Sequence, residues 1–246
     1  MRVIGVRPST WQMLSGILLS IVIFFCVWMT VTHTAETVPV HIPYRDRPQV
    51  ILDAGHGGMD GGAVGINNVA EKGINLSITL KLAELLRLNG FDVILTRSTD
   101  DSIHDTSETT VARQKRSDMY NRKEIIEKHP NALFLSIHQN KFSDPSVCGA
   151  QVFYSPNHGD SELLAECIQK QLREQLQPDN SRETKRADEG LFLLWNSEIP
   201  AVLIECGFLS NQNECEQLCD GDYQNKIAFV IYLSLLDFYE LSLERM

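Results

Sequence analysis

The stretch QVILDAGHGGMDGGA, residues 49–63, begins with a strand-like apolar run and continues into a glycine-rich turn. Four more short apolar runs follow it, and segments of helical period lie between several of them. The predicted strands are residues 49–53, 92–96, 132–137, 150–154 and 201–204. Runs that are apolar along most of their length indicate burial on both faces. Because strands that alternate with helices are typical of α/β proteins, the sequence predicts an α/β domain with a largely parallel sheet.

Four segments carry the period of an α-helix. In residues 75–88 the apolar positions recur at spacings of four, three and three. These positions are Leu76, Leu80, Ala83 and Leu86. Asn89-Gly90 follows as a helix C-cap does. The other predicted helices are residues 111–128, 161–176 and 223–243, and the polar residues 177–188 are predicted to form a loop.

An uncharged apolar segment lies near the amino terminus. Residues 11–31, WQMLSGILLSIVIFFCVWMTV, follow Arg2 and Arg7, and about 20 such residues span a bilayer. The upstream charges predict a cytoplasmic terminus at residues 1–10 and export of everything after residue 31. Since the run exceeds the usual signal-peptide core of about 7–15 residues, an uncleaved anchor is favoured over a cleaved signal. A linker at residues 32–48 and one domain at residues 49–243 are expected to follow.

Composition argues against several classes of protein. There are 32 acidic and 22 basic residues, a net charge of −10. An acidic surface disfavours nucleic-acid binding and simple electrostatic adhesion to anionic polymers or lipids. Of the six cysteines, Cys26 lies in the apolar segment and the other five include no CxxC pair. The sequence therefore predicts neither a disulfide framework nor a cysteine zinc site.

Four residues suited to metal-dependent hydrolysis lie at or shortly after predicted strands. His56 follows QVILDAG, His138 follows LFLSI and Glu205 follows PAVLI. Ligands of open α/β sheets bind beyond the carboxyl ends of the strands, so these side chains are expected to meet at one edge. Glu71, in the loop or first turn before the helix at residues 75–88, can reach the same place.

The chemistry of these groups suggests their roles. His56, Glu71 and His138 form a donor set that catalytic zinc prefers, with one position left open for water. Such an ion lowers the pKa of a water molecule from about 15.7 towards about 7. A second carboxylate must then take the water proton and pass it to the leaving amine nitrogen, a role that we assign to Glu205. Singly, each residue is weak evidence, because a histidine at a strand end is more often structural.

The glycine-rich residues 55–62 have a second interpretation, since such loops can cradle phosphates. Asp60 occupies the third-glycine position of GxGxxG counted from Gly55, and no Lys-Ser/Thr pair follows Gly62. Both common phosphate patterns therefore fail. The glycines are expected to let the backbone turn tightly beside a metal ion.

Four local runs together are specific for a family. LDAGHGGMDGGA, EKGINL, SIHQN and PAVLIECGFLSN, which begin at residues 52, 71, 136 and 200, closely resemble the zinc-dependent N-acetylmuramoyl-L-alanine amidases of the amidase_3 family. The resemblance spans residues 49–239 and implies a three-layer domain with a twisted, mostly parallel sheet flanked by helices. It also implies one zinc ion held by His56, Glu71 and His138, with Glu205 as the catalytic carboxylate. The bond cleaved would join the lactyl group of muramic acid to the first L-alanine of the peptidoglycan stem peptide.

The resemblance suggests two further site residues. Asn140, in the SxHxN pattern, is expected to orient the site or the substrate. Arg97, which ends DVILTR, is expected either to bind a substrate carboxylate or to form a structural ion pair.

Within the family, the chain looks most similar to the sporulation amidases of endospore formers, which help to make muramic-δ-lactam in the spore cortex. A single membrane segment, one bare catalytic domain and no wall-binding repeats fit this resemblance. Peptidoglycan, a membrane and an activating protein are the expected partners. Two alternatives stay open: another exported zinc peptidase or deacetylase with the same ligands, and a wall-binding regulator without catalysis. The four runs disfavour the first, and the complete set of site residues disfavours the second.

Overall fold

The computed structural model describes Trp11, residues 18–25 and residues 48–245. The strands in these ranges are β1 (Gln49–Ala54), β2 (Asp92–Leu95), β3 (Ala132–Asn140), β4 (Gln151–Tyr154), β5 (Lys185–Arg186) and β6 (Ala201–Phe208). They form one sheet in the order β2-β1-β3-β6-β4-β5. Neighbouring strands are parallel except β4 and β6, which are antiparallel. The predicted α/β domain with a mostly parallel sheet is confirmed.

Helices connect most of these strands. They are α1 (Glu71–Leu88), α2 (Val111–Glu127), α3 (Asp160–Gln175), α4 (Phe192–Trp195), α5 (Gln212–Cys219) and α6 (Gly221–Glu244). The four predicted helices correspond to α1, α2, α3 and α6. The end of α1 is as predicted, because Gly90 has a left-handed φ of 87° and Phe91 N donates to Leu86 O at 3.0 Å. The helix starts at Glu71, earlier than predicted. This start was not predicted because the N-cap residue Ala70 provides no side-chain cap and therefore no sequence signal for the start of a helix.

The two faces of the sheet are covered unequally. Helices α1, α3, α5 and α6 pack on one face, around a core that includes Leu52, Leu135 and Ile204. Helices α2 and α4 cover the other face, around Phe134 and Leu203. Successive side chains of a strand point to opposite faces of the sheet. Because Phe134 of β3 and Leu203 of β6 face α2 and α4, every second residue after each of them in its strand also faces these two helices.

Strands β3 and β6 run further than predicted, which changes the placement of two candidate site residues. His138 and Glu205 were expected at or past the strand ends, yet both lie inside the strands and are paired in register. The strands were predicted from apolar runs only. The polar residues of SIHQN interrupt such a run, so the extension of β3 through them was not predicted. The register shifts only between His138 and Asn140.

Three short elements and the direction of one strand were not predicted. β5 lies within residues 177–188, which were assigned to a loop, and it pairs with Phe153 and Tyr154 of β4. Helices α4 and α5 were not assigned either. Elements of two to eight residues are too short to carry a clear periodic signal. The antiparallel direction of β4 leaves no local mark, since the same apolar run suits both orientations.

The predicted membrane segment lies only partly within the described residues. Trp11 and residues 18–25 are helical, and their large apolar side chains are exposed. The rest of residues 11–31, the terminus at residues 1–10 and the linker before Pro48 lie outside the described residues. Among the residues that are described, no helix is both long and apolar enough to cross a bilayer. The anchor, its orientation and the domain boundaries stay predictions.

Candidate metal centre

His56 lies in a tight turn that follows β1. Its backbone has a left-handed φ of 64°, which costs a non-glycine residue about 1–2 kcal/mol. Reciprocal backbone hydrogen bonds between Gly57 and Asp60, at 2.9 and 3.0 Å, close the turn. The imidazole Nδ1 lies 2.9 Å from Asp60 Oδ2. The other ring nitrogen, Nε2, faces Glu71.

Two buried arginines hold the backbone of this turn. Arg97 donates from Nε to Ala54 O at 2.8 Å and from Nη2 to Gly55 O at 3.0 Å. Arg122, on α2, donates from Nη1 to Ala54 O at 3.0 Å and from Nη2 to His56 O at 2.8 Å. Charged donors make stronger hydrogen bonds than neutral ones. These contacts therefore stabilise the left-handed conformation at His56.

Glu71 is the first residue of α1 and has only 2% of its surface exposed. Its Oε1 accepts hydrogen bonds from Asn75 Nδ2 and Gln139 N, each at 3.0 Å. Its Oε2 accepts one from Ala63 N at 2.8 Å. The dipole of α1 also favours a carboxylate in the first turn. Groups from three parts of the chain thus hold the carboxylate in one orientation.

The carboxylate of Glu71 lies between two imidazoles. Its Oε2 is 3.2 Å from His56 Nε2, and its Oε1 is 2.9 Å from His138 Nδ1. One ligand atom from each of the three residues lies within 4.8 Å of the other two. Two imidazoles and one carboxylate are a donor set that zinc accepts. The structure therefore brings together the three residues that the sequence singled out as metal ligands.

The electrostatics of this cluster favour a cation. Burial alone would raise the pKa of Glu71, but hydrogen bonds and charge from His138 and His56 hold that pKa well below its usual range. Burial would lower the pKa of His56, yet Glu71 and Asp60 raise it to about 9. Positive charge among the three groups is thus stabilised. A divalent ion would displace a proton from His56, so its binding is expected to be coupled to proton release.

Two glycines leave the space that the cluster occupies. A Cβ at Gly55 would lie 2.3 Å from Cε1 and Nε2 of His138. A Cβ at Gly62 would lie 2.5 Å from Glu71 Oε2, and Gly62 also has a left-handed φ of 70°. A larger residue at either position would displace a ligand side chain. The glycines thus permit close approach beside the centre, in agreement with the interpretation of residues 55–62.

Glu205 lies on the same face as the cluster, because it is paired in register with His138. Its Oε2 is inaccessible to solvent and has no hydrogen-bond partner among the described residues. Burial raises the pKa of Glu205 to about 7, and the charge of His138 opposes that rise. A divalent cation in the cluster would favour the ionised carboxylate, since opposite charge lowers the pKa of an acid.

The two predicted substrate contacts lie in different environments. Arg97 is 4% exposed, and besides the turn it donates to Lys72 O and Thr99 O, each at 2.9 Å. Its guanidinium therefore donates to four backbone carbonyls, and no ion pair of Arg97 is found among the described residues. A substrate contact by Arg97 stays a prediction. Asn140 ends β3, and its Oδ1 accepts from Lys141 N at 2.8 Å. A substrate contact by Asn140 stays a prediction.

Two residues that support the centre were missed from the sequence. Asn75 donates to Glu71 Oε1 and to Gly55 O, at 3.0 and 3.1 Å. Its position four residues after Glu71, one helical turn away, was the available signal. Asp60, which contacts His56, was considered only as a departure from a phosphate-binding pattern.

A buried ion-pair network lies beneath the turn. The Asp53 carboxylate pairs with Arg122 and accepts hydrogen bonds from Ser136 Oγ at 2.6 Å and Thr96 Oγ1 at 2.7 Å. Arg122 also donates from Nε to Asp118 Oδ2 at 2.6 Å. Burial would raise the pKa of Asp53, but Arg122 and the two hydroxyls lower it overall. The network joins β1, β3 and α2 directly under the candidate centre.

A cavity of about 290 Å³ opens beside the centre on the α2–α4 face. His56 and His138 are among the residues that line its walls, together with charged residues such as Asp53 and Arg122 and with several apolar side chains. Met119 of α2 and Phe192 of α4 belong to these walls. The cavity therefore borders two of the three candidate ligands.

A His–Glu–His cluster on an α/β sheet, beside a half-buried glutamate whose Oε2 has no partner among the described residues, is typical of metal-dependent hydrolases. The chain belongs to the amidase_3 family, described as N-acetylmuramoyl-L-alanine amidase, whose sequence model matches residues 50–237. The chain is therefore an N-acetylmuramoyl-L-alanine amidase that acts on peptidoglycan. The family resemblance seen in the sequence is confirmed.

Individual relatives agree with this assignment. The germination-specific N-acetylmuramoyl-L-alanine amidase of Bacillus subtilis (strain 168) is 36% identical over 190 residues, which cover 77% of this chain and 79% of the relative. Among solved structures, the CwlD amidase from Clostridioides difficile in complex with the GerS lipoprotein is 44% identical, with a TM-score of 0.77. That match covers 79% of this chain and 100% of the other. The amidase AmiC2 of Nostoc punctiforme is 28% identical, with a TM-score of 0.66, and the match covers 78% of this chain and 97% of the other.

Proposed function

We propose that this amidase is zinc-dependent, with one ion held by His56, Glu71 and His138, and that Glu205 transfers the proton during hydrolysis. One observation carries the proposal. Ligand atoms of the three residues lie within 4.8 Å of one another, and the half-buried Glu205 lies on the same face, with its Oε2 inaccessible to solvent and without a partner in the described part of the chain. A buried polar atom without a partner is costly, so its retention favours a role towards water or substrate.

The reaction divides between the ion and the side chains. Zinc, when bound, would polarise the scissile carbonyl and acidify water. Glu205 accepts a proton from the attacking water, whose oxygen forms a bond to the lactyl carbonyl carbon. As the C–N bond breaks, Glu205 returns this proton to the nitrogen of L-alanine. The products are a free lactyl carboxylate on muramic acid and a stem peptide with a free amino terminus.

Mass spectrometry of muropeptides tests both the bond and the metal. Peptidoglycan treated with the purified chain is expected to release intact stem peptides that begin at L-alanine. Chelation is expected to abolish the release, and added zinc to restore it. Shortened peptides or lost acetyl groups would instead favour the alternative of a zinc peptidase or deacetylase, and activity that survives complete metal removal would contradict the proposed chemistry.

We extend the proposal to a role in the spore cortex, where the product would pass to a separate deacetylase that closes the muramic-δ-lactam. Support comes from the germination-specific relative and from the CwlD structure. The same measurement applied to spores is decisive. Cortex from a strain that lacks this chain is expected to contain no muramic-δ-lactam, and a normal lactam content would exclude the role.

An activating protein partner and a membrane anchor complete the proposal. The CwlD relative was solved in complex with the GerS lipoprotein, and the net charge of −10 gives this chain little electrostatic attraction to an anionic wall. The anchor would be residues 11–31, which place the catalytic domain outside the cytoplasm.

The purified full chain is expected to digest cortex peptidoglycan slowly and to gain activity when a lipoprotein of its own organism is added. Full activity of the chain alone would count against the partner.

A further inference from the structure

We propose that Asp60 is a positioning residue that sets the metal affinity of the centre through the ring of His56. This inference rests on the proposed function, since it presupposes a metal ion at His56, Glu71 and His138. The carrying observation is the 2.9 Å contact between Asp60 Oδ2 and His56 Nδ1, on the side of the ring opposite the nitrogen that faces Glu71.

The contact determines which nitrogen can bind a metal. An ionised carboxylate only accepts hydrogen bonds, so the hydrogen of a neutral His56 ring must lie on Nδ1. The lone pair then lies on Nε2, 3.2 Å from Glu71 Oε2 and directed into the cluster. The carboxylate also makes the imidazole a stronger donor to a metal.

The contact also restricts rotation of the ring. The terminal torsion of histidine has broad, roughly two-fold minima, so an unrestrained ring could turn a carbon atom towards the ion. His56 is partly exposed, with 25% of its side-chain surface accessible, so packing alone leaves it freedom. Asp60 is the carboxylate that removes this freedom.

Asp60 is itself held in place from two directions. Its Oδ1 lies 2.8 Å from Nζ of Lys115, on α2, and accepts from Gly62 N at 3.3 Å. Its backbone makes the two hydrogen bonds to Gly57 that close the turn. The chain Lys115–Asp60–His56 therefore connects α2 to the candidate ligand.

A purely structural role for Asp60 in the turn predicts something different. The bonds between Gly57 and Asp60 use backbone atoms only, and asparagine has nearly the same shape as aspartate. Asp60→Asn should therefore keep the turn but remove the negative charge that acts on His56. The substitution separates the two roles.

The test measures the zinc dissociation constant of the full chain in detergent by competition with a chromophoric chelator. Asp60→Asn is expected to raise this constant about 10–100-fold, while the metal-free protein keeps one cooperative thermal transition whose midpoint falls only slightly, because the Asp60 contacts to His56 and Lys115 are part-exposed. Asp100→Asn is the matched control: Asp100 contacts the same turn, through Gly58 N at 3.2 Å, but not His56. The zinc dissociation constant of Asp100→Asn is expected to stay within about two-fold of wild type, because the contact between Asp100 and Gly58 is exposed.

The outcomes distinguish the inference from the function on which it rests. The positioning role of Asp60 is overturned if Asp60→Asn binds zinc as tightly as wild type. It is also overturned if Asp100→Asn weakens zinc binding as much as Asp60→Asn does. Failure of the wild type to bind zinc, or a Glu71→Gln variant that binds as tightly as wild type, overturns the metal centre itself.

Discussion

Glu205→Gln is expected to lower kcat about 10²–10⁴-fold, the contribution typical of a general acid–base group, while the protein retains its full zinc content. Glutamine has almost the same shape as glutamate but cannot accept the proton of water at neutral pH. Because Glu205 Oε2 has no hydrogen-bond partner among the described residues, the substitution breaks no recorded contact at that atom. Stem-peptide release and zinc content are measured on the same preparation.

Glu198→Gln is the matched control for this prediction. Glu198 is an exposed glutamate shortly before β6, so the same chemical change there should leave kcat unaltered. If Glu205→Gln retained activity within about ten-fold of wild type, Glu205 would not be the main proton carrier. If instead it lost zinc, the residue would belong to the ligand set.

Arg122→Met is expected to destabilise the folded domain by about 3–5 kcal/mol, the loss that follows when one partner of a buried ion pair is removed. Arg122 is 1% exposed and pairs with both Asp53 and Asp118. Methionine fills part of the volume but leaves the Asp53 carboxylate buried with only hydroxyl partners. The free energy of unfolding, from urea titration of wild type and variant, measures the effect.

Two comparisons show whether the loss arises from the buried charge. Arg113→Met changes an exposed arginine on the same helix and is expected to shift stability by no more than about 0.5 kcal/mol. Adding Asp53→Asn to Arg122→Met should recover part of the loss, since the uncompensated carboxylate disappears. A loss below about 1 kcal/mol for Arg122→Met would mean that the network contributes little to stability.

The sequence predicts the elements whose burial follows a regular pattern along the chain. β1 and β3 lie inside the sheet, so their apolar runs report burial directly. Long helices such as α1 and α6 bury one face, which gives the 3.6-residue period. The edge strand β5 and the four-residue helix α4 depend on tertiary contacts and leave no comparable pattern.

Some residues of the candidate site could likewise be predicted from the sequence, and others could not. Topology and donor chemistry pointed to His56, His138 and Glu205, because these residues were expected at the carboxyl ends of predicted strands, where ligands of open α/β sheets bind. Supporting residues were harder to find, and of the two that were missed only Asn75 had a spacing signal, because it lies one helical turn after Glu71. Asp60 contacts His56 across a turn with unusual backbone angles, and the hydrogen bonds from Arg97 to backbone carbonyls leave no mark in the sequence.

The left-handed backbone at position 56 bears on any redesign of this enzyme for a different metal. Aspartate and asparagine tolerate such dihedral angles, whereas most other side chains do so less readily. Softer donors such as cysteine would therefore be better introduced at residue 138, where the chain is an extended strand. Backbone conformation, rather than donor preference, decides which of the two imidazoles an engineer can exchange.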